Sequence, residues 1–75
     1  MGERGAPRLT ADQVIGTLKH HGFLLVGQSG SHQKWRNATT GKQVIVAFHR
    51  GRVLPLGTMR SIIEGSGIPR DEWMR

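Results

Sequence analysis

The sequence predicts an α+β fold: a helix, a three-stranded antiparallel sheet, a second helix and a short C-terminal helical turn. Two amphipathic segments carry apolar residues at helical spacing, one over residues 10–22 and one over 59–64. Between them lie three short apolar or alternating segments that turn-forming residues separate, as in a β-meander. A meander of this kind leaves an apolar face that the two helices are needed to cover.

The length and composition predict one small domain. The chain has 75 residues and no cysteine, so neither a disulfide framework nor a thiolate zinc site reinforces its small core. We expect residues 1–8 to be a flexible N-terminus and residues 9–75 to form the single domain. No apolar run approaches the roughly 20 residues of a membrane helix, and no signal peptide is recognisable. These features predict a soluble cytoplasmic protein that does not enter a membrane.

The charge balance predicts an anionic partner. Eleven Lys and Arg residues stand against five Asp and Glu residues, which gives a formal net charge of +6. Most of the cations are arginines, which bind phosphates in bidentate fashion and stack on bases. Nucleic acid is therefore the first candidate partner, and an acidic protein is the second.

The first helix has a recognisable start and end. Thr10 and Gln13 have the spacing of a capping box, apolar residues follow at helical spacing, and Gly22 ends the pattern. His20 and His21 near its end could be considered as metal ligands. We predict no metal site, because adjacent helical residues point about 100° apart and no third ligand follows at a suitable spacing.

Three strands are predicted after this helix. The first is Phe23–Val26, which we expect to be buried on at least one face before Gly27–Gly30 turns the chain. The second is His32–Arg36, and the turn formers of Asn37–Gly41 close a hairpin to the third strand, Gln43–Phe48.

The C-terminal third supplies the second helix. Apolar residues recur on one face of Met59–Glu64, and Gly65–Gly67 is expected to end the helix. Pro69–Met74 can form one further turn, with acidic residues near its start. We expect Trp73 and Met74 to pack against the sheet or a helix.

The second strand carries the candidate site. Strand side chains alternate, so His32, Lys34 and Arg36 should share one face and Gln33 and Trp35 the other. Histidine exchanges protons near neutral pH, and the two cations suit a phosphate diester such as RNA. The purely structural interpretation is that His32 caps the turn, that the two cations are an ordinary solvated face, and that Trp35 belongs to the core.

A second basic cluster, His49-Arg50-Gly51-Arg52, lies at the exit of the third strand. A binding role without catalysis needs only arginines that hold the phosphates of double-stranded RNA, with His32 as one more contact.

A metal-dependent nuclease is disfavoured, because the acidic residues lie on predicted helices, far in sequence from the basic strand. We therefore predict no metal and no cofactor. The residues predicted to bind RNA are Lys34, Arg36, His49, Arg50, Arg52 and Arg60.

Several short motifs follow one another along the chain: Gly22-Phe23, Gly30-Ser31-His32, Val44–Val46 with His49 behind it, Leu56–Ile63 and Gly67-Ile68. Their order and spacing resemble those of the HicA toxins. The likeness extends from Thr10 to Trp73, and it implies a small RNA-cleaving toxin (an mRNA interferase) of a bacterial toxin–antitoxin pair. It also implies a fold similar to the double-stranded-RNA-binding domain and a HicB-like antitoxin protein as partner.

The resemblance also points to one catalytic residue. The histidine of the Gly-Ser-His turn is the residue that HicA toxins need for RNA cleavage, and His32 matches it. His49 is a second candidate for proton transfer. Two departures from the family pattern matter: Gly27 and Ser29 stand where many relatives carry basic residues, and Ala47 stands where a proline is common. The first departure lowers the positive charge beside the turn.

Overall fold

Two helices cover one face of a three-stranded antiparallel sheet in the computed structural model, which describes residues 7–74. The strand order is β1-β2-β3, a simple meander, which confirms the predicted fold class. Most of the predicted N-terminal segment, residues 1–6, lies outside the described residues. The elements are helix α1 (Ala11–His20), strands β1 (Phe23–Ser29), β2 (His32–Asn37) and β3 (Gln43–Ala47), helix α2 (Leu56–Ser66) and a C-terminal 3₁₀ helix (Arg70–Trp73).

The start of α1 is the predicted capping box. The backbone N–H of Gln13 donates to Thr10 Oγ1 at 3.3 Å, and the N–H of Thr10 donates to Gln13 Oε1 at 2.9 Å. Two backbone donors that the first helical turn leaves free are thereby satisfied. The helix ends at His20, and Gly22, with φ of +89°, turns the chain into β1.

Strand β1 is longer than its predicted extent of Phe23–Val26. Its pairing with β2 continues to Ser29 opposite His32, with a register shift between Leu25 and Gly27. The shift leaves Val26 as the extra residue of a β-bulge, and the strand continues through Gly27 to Ser29. Only Gly30 and Ser31 form the turn, and the positive φ of Gly30 alone, +57°, is the pattern of a type II′ hairpin turn.

The apolar run in β1 is much less buried than predicted. Phe23 belongs to the core, but Leu24 is 66% exposed, Leu25 46% and Val26 53%. Leu24 lies opposite Arg36, on the face that the helices leave open, and Leu25 lies on the inner face of this edge strand, where the helical layer reaches only the beginning of the strand. The expectation that Phe23–Val26 is buried on at least one face therefore holds only for Phe23.

Asn37 joins the end of β2 to two other parts of the fold. Its Nδ2 donates to the carbonyl of His21 at 2.8 Å, and its Oδ1 accepts from the N–H groups of Thr39 and Thr40 at 2.8 and 3.0 Å. The side chain thus holds the predicted hairpin turn and ties it to the end of α1. Strand β3 then ends at Ala47, one residue before the predicted end.

The second helix is longer than its apolar pattern suggested, since it begins at Leu56 and ends at Ser66. Gly67 follows in the left-handed conformation, which confirms the predicted glycine end. Trp73 is buried as expected, whereas Met74 is 53% exposed, because the chain leaves the core after the 3₁₀ helix. No helix within residues 7–74 is long and apolar enough to cross a membrane.

Candidate nucleic-acid interface

The two faces of β2 differ in chemistry, as the alternation predicts. His32, Lys34 and Arg36 are exposed on the face of the sheet that the helices leave open. Trp35 is buried in the core on the other face, and its indole N–H donates to Gln33 Oε1 at 3.1 Å. The histidine and the two cations therefore form a row along one strand, about 7 Å apart from one to the next. We call this row the basic row.

The neighbours of the basic row follow from the strand register. Opposite His32, Lys34 and Arg36 on β3 stand Ala47, Ile45 and Gln43. Backbone hydrogen bonds from Phe48 N to Ser31 O (2.7 Å) and from Asn37 N to Lys42 O (2.9 Å) lie just beyond the two ends of this ladder. Hydrogen-bonded and non-hydrogen-bonded pairs alternate along an antiparallel ladder. The three pairs of the row are therefore the non-hydrogen-bonded ones, whose side chains approach most closely, with Cβ atoms about 4.5–5.5 Å apart.

The backbone around His32 is held on both sides. The N–H of Phe48 bonds to the carbonyl of Ser31, and Gln28 Nε2 donates to the carbonyl of Gly30 at 3.0 Å across the turn. The imidazole itself makes no hydrogen bond to any residue within 7–74. Both of its ring nitrogens are thus open to a ligand, on a backbone whose position is fixed.

A shallow cleft of about 250 Å³ opens beside His32. Its position reflects the continuation of β1 past Gly27, which the sequence pattern had assigned to a turn. The glycine stands opposite Lys34 and contributes no side chain, so the sheet surface is depressed there. The lining residues are Gly27, Gln28, Ser29, His32, Lys34 and Ile45.

The second basic cluster forms a tight turn after β3. The N–H of Arg52 donates to the carbonyl of His49 at 3.2 Å, Gly51 has a φ of +77°, and Arg50 is exposed within the turn. His49 and Arg52 line a second cleft of about 250 Å³ together with Ala47. Because Ala47 is also the β3 partner of His32, this cleft adjoins the basic row.

Arg60 lies elsewhere on α2. Thr58 lines the cleft that contains His49 and Arg52. Two residues further along a helix, a side chain points about 200° away. Arg60 is exposed, and this geometry directs it to the far side of α2 from that cleft. Of the six residues predicted to bind RNA, Lys34 and Arg36 therefore lie in the basic row on the central strand, and Arg60 is directed away from the second cleft. The other three belong to the turn after β3, where His49 and Arg52 line the cleft and Arg50 is exposed.

The paired histidines at the end of α1 have structural contacts. The rings of His20 and His21 meet edge to face with centroids 5.3 Å apart, and His21 Nε2 lies 3.4 Å from Glu72 Oε1. Within residues 7–74 no group of three or more His, Cys, Asp or Glu side chains is arranged to hold a metal ion. His21 thereby helps to attach the 3₁₀ helix to α1.

Comparison with known protein families gave a match over most of the chain. A family model described as HicA toxin of bacterial toxin-antitoxin matches residues 11–68, from the first residue of α1 to just beyond α2. The matched span contains the whole sheet, the basic row and the turn from His49 to Arg52. A comparison with curated proteins found no match.

Proposed function

We propose, from the premise that the chain belongs to the HicA family of toxins of bacterial toxin–antitoxin systems, that it is an endoribonuclease that cleaves mRNA. The observation that carries the proposal is the basic row. A histidine with two open ring nitrogens stands on a fixed backbone at the end of a line of two cations, on the face of the sheet that the helices leave uncovered.

The reaction that suits this arrangement uses the 2′-hydroxyl of RNA as its nucleophile. His32 takes the proton of the 2′-hydroxyl as general base, or gives a proton to the departing 5′-oxygen as general acid. The bond from the 2′-oxygen to phosphorus forms while the bond from phosphorus to the 5′-oxygen breaks, so the products carry a 2′,3′-cyclic phosphate and a 5′-hydroxyl. Lys34 and Arg36 bind phosphate oxygens and stabilise the developing negative charge.

A second proton-transfer group would complete this chemistry. His49 is the candidate, because it lines the cleft that shares Ala47 with the neighbourhood of His32. Arg52 lines the same cleft and suits a neighbouring phosphate of the RNA strand. The donor set beside His32 contains no carboxylate, which favours a reaction that needs neither a divalent metal nor another cofactor.

The protein partner that family membership suggests is a HicB-like antitoxin. An acidic surface on that antitoxin would complement the basic row and the turn from His49 to Arg52, and it would cover the surface that RNA needs. Inhibition would then follow from simple competition. As an RNA-cleaving toxin the protein would act in the cytoplasm, where mRNA is translated.

The test is incubation of the purified protein with total RNA in the presence of a chelator. We expect the native protein to cleave RNA, and we expect His32→Ala to lose about 10²–10⁴-fold in rate, the usual contribution of a positioned acid or base. The matched control is His20→Ala, which removes an exposed histidine from α1, outside the site.

The same variants separate cleavage from binding. Salt-sensitive RNA binding by His32→Ala at native affinity supports a catalytic histidine, because its removal leaves the phosphate contacts in place. Cleavage by His32→Ala at the native rate would refute the proposed role of His32. Binding without cleavage by the native protein would instead indicate a non-catalytic module for double-stranded RNA.

A further inference from the structure

The cleft beside His32 differs from the rest of the open sheet face in the size of its side chains. His32 has Ser29 on one neighbouring strand and Ala47 on the other, and the next position of β1 on this face is Gly27. A Cβ built on Gly27 meets no atom within 4 Å, so the space above this glycine is open. Ile45, 45% exposed, forms the opposite wall across Lys34.

The cleft offers a flat apolar surface and a few polar atoms. Ile45 and the glycine backbone provide the apolar part, and the imidazole of His32 provides an aromatic edge. The polar part is the hydroxyl of Ser29, which lies opposite His32 on this face and can donate or accept a hydrogen bond. At about 250 Å³ the cleft is smaller than the ~300–1,000 Å³ of sites for drug-sized ligands, so it admits a fragment of the size of one nucleobase.

We propose that this cleft is a nucleobase site that takes one unpaired base of the RNA strand lying along the basic row. The proposal rests on the function proposed above and specifies the substrate as single-stranded RNA. Lys34 stands on the middle strand between Gly27 and Ile45, so a base seated over Gly27 lies beside the lysine side chain and has its own phosphate within reach of the ammonium group. His32 lies at the mouth of the same cleft, next to the sugar of that nucleotide.

A paired base cannot enter this cleft. In an A-form duplex the bases are stacked inside, and a protein meets phosphates, 2′-hydroxyls and the shallow minor groove. Bases of loops and single strands are exposed and can stack on protein side chains while their edges form hydrogen bonds. The base site therefore restricts cleavage to unpaired segments, and Ser29, which lies opposite His32 on this face, is the residue placed to discriminate between bases.

Binding of RNA that cannot be cleaved tests the site independently of catalysis. The probe is a short 2′-fluoro-substituted oligoribonucleotide, which lacks the nucleophile, as a single strand and as a hairpin duplex at the same salt concentration. We expect the native protein to bind the single strand at least about tenfold more tightly. Gly27→Val should lower that affinity by about 5- to 150-fold, the range for losing one stacked base, and leave duplex binding unchanged.

Two further variants control the experiment. Gln43→Val adds the same side chain to the same sheet face, opposite Arg36 and outside the cleft, and should change neither affinity. Ile45→Thr keeps a β-branched residue in the strand but removes the apolar wall, and it should reduce single-strand binding as Gly27→Val does. Thermal unfolding of each variant shows whether its fold is intact. If Gly27→Val does not fold, single-strand binding by Ile45→Thr is the test of the base site.

The outcomes distinguish the base site from the proposed function. Equal affinity of the native protein for strand and hairpin, or native single-strand affinity in both cleft variants, overturns the base site even if the protein cleaves RNA. Absence of cleavage of natural RNA, combined with loss of single-strand binding in the cleft variants, refutes the ribonuclease and retains the base site.

Discussion

Replacing Asn37 with alanine should cost more stability than any other single change of a polar side chain in the sheet. The side chain is 9% exposed and makes three hydrogen bonds, one to the end of α1 and two within the hairpin turn. Each such bond contributes about 0.5–1.5 kcal/mol net, and the buried groups left behind lose their partners. We therefore expect the free energy of unfolding to fall by about 2–4 kcal/mol.

The measurement is equilibrium denaturation in urea together with a thermal scan. For a domain of this size the expected loss corresponds to a decrease in Tm of roughly 10–30 °C. Gln43→Ala is the matched control: Gln43 is an exposed amide next to the same turn, and its replacement should stay within about 0.5 kcal/mol. A loss below about 1 kcal/mol for Asn37→Ala would refute the reasoning, since it would mean that water or a relaxed turn replaces the three bonds.

Three other changes have definite expected results. Gly67→Ala should lose about 1–2 kcal/mol in urea denaturation, because the residue has a φ of +71° and its Cβ would lie 2.8 Å from the Lys42 side chain. Trp73→Phe should change the free energy of unfolding by no more than about 1 kcal/mol, because the buried indole N–H that it removes has no partner within residues 7–74. Trp73→Ala should lower it by about 3–5 kcal/mol, because it leaves a large cavity in the core. Lys34→Gln should lower the salt dependence of single-stranded RNA binding by about 0.7 in log–log slope, measured by titration at several salt concentrations.

Much of the fold follows from local chemistry. The capping box of Thr10 and Gln13, the turn after Asn37 and the glycine end at Gly67 are short-range signals, and each stands where the pattern places it. The errors arise where tertiary structure decides. An apolar run such as the one after Phe23 reads as buried, but its burial depends on where the helices lie relative to the edge of the sheet.

Only the part of the candidate site that depends on local sequence pattern could be predicted. Alternation along one strand is enough to place His32, Lys34 and Arg36 together. The neighbours of that row depend on the registers of two other strands, and the bulge at Val26 changes the register of one of them. The cleft over Gly27 could be found only once β1 was known to continue past the glycine.

The alternation in β2 also places the side chains that stabilise the core and those of the candidate site on opposite faces of the strand. Trp35 points into the core and His32 to solvent, so a slip of the strand by one residue would exchange the two sets of side chains. The register is fixed at both ends, by the glycine turn before His32 and by the hydrogen bonds of Asn37 after the strand. The exposed row can therefore change with little effect on the free energy of unfolding, whereas the inward positions cannot. Substitution of His32, the proposed catalytic residue, should therefore leave the fold intact, which makes it a clean test of the proposed activity.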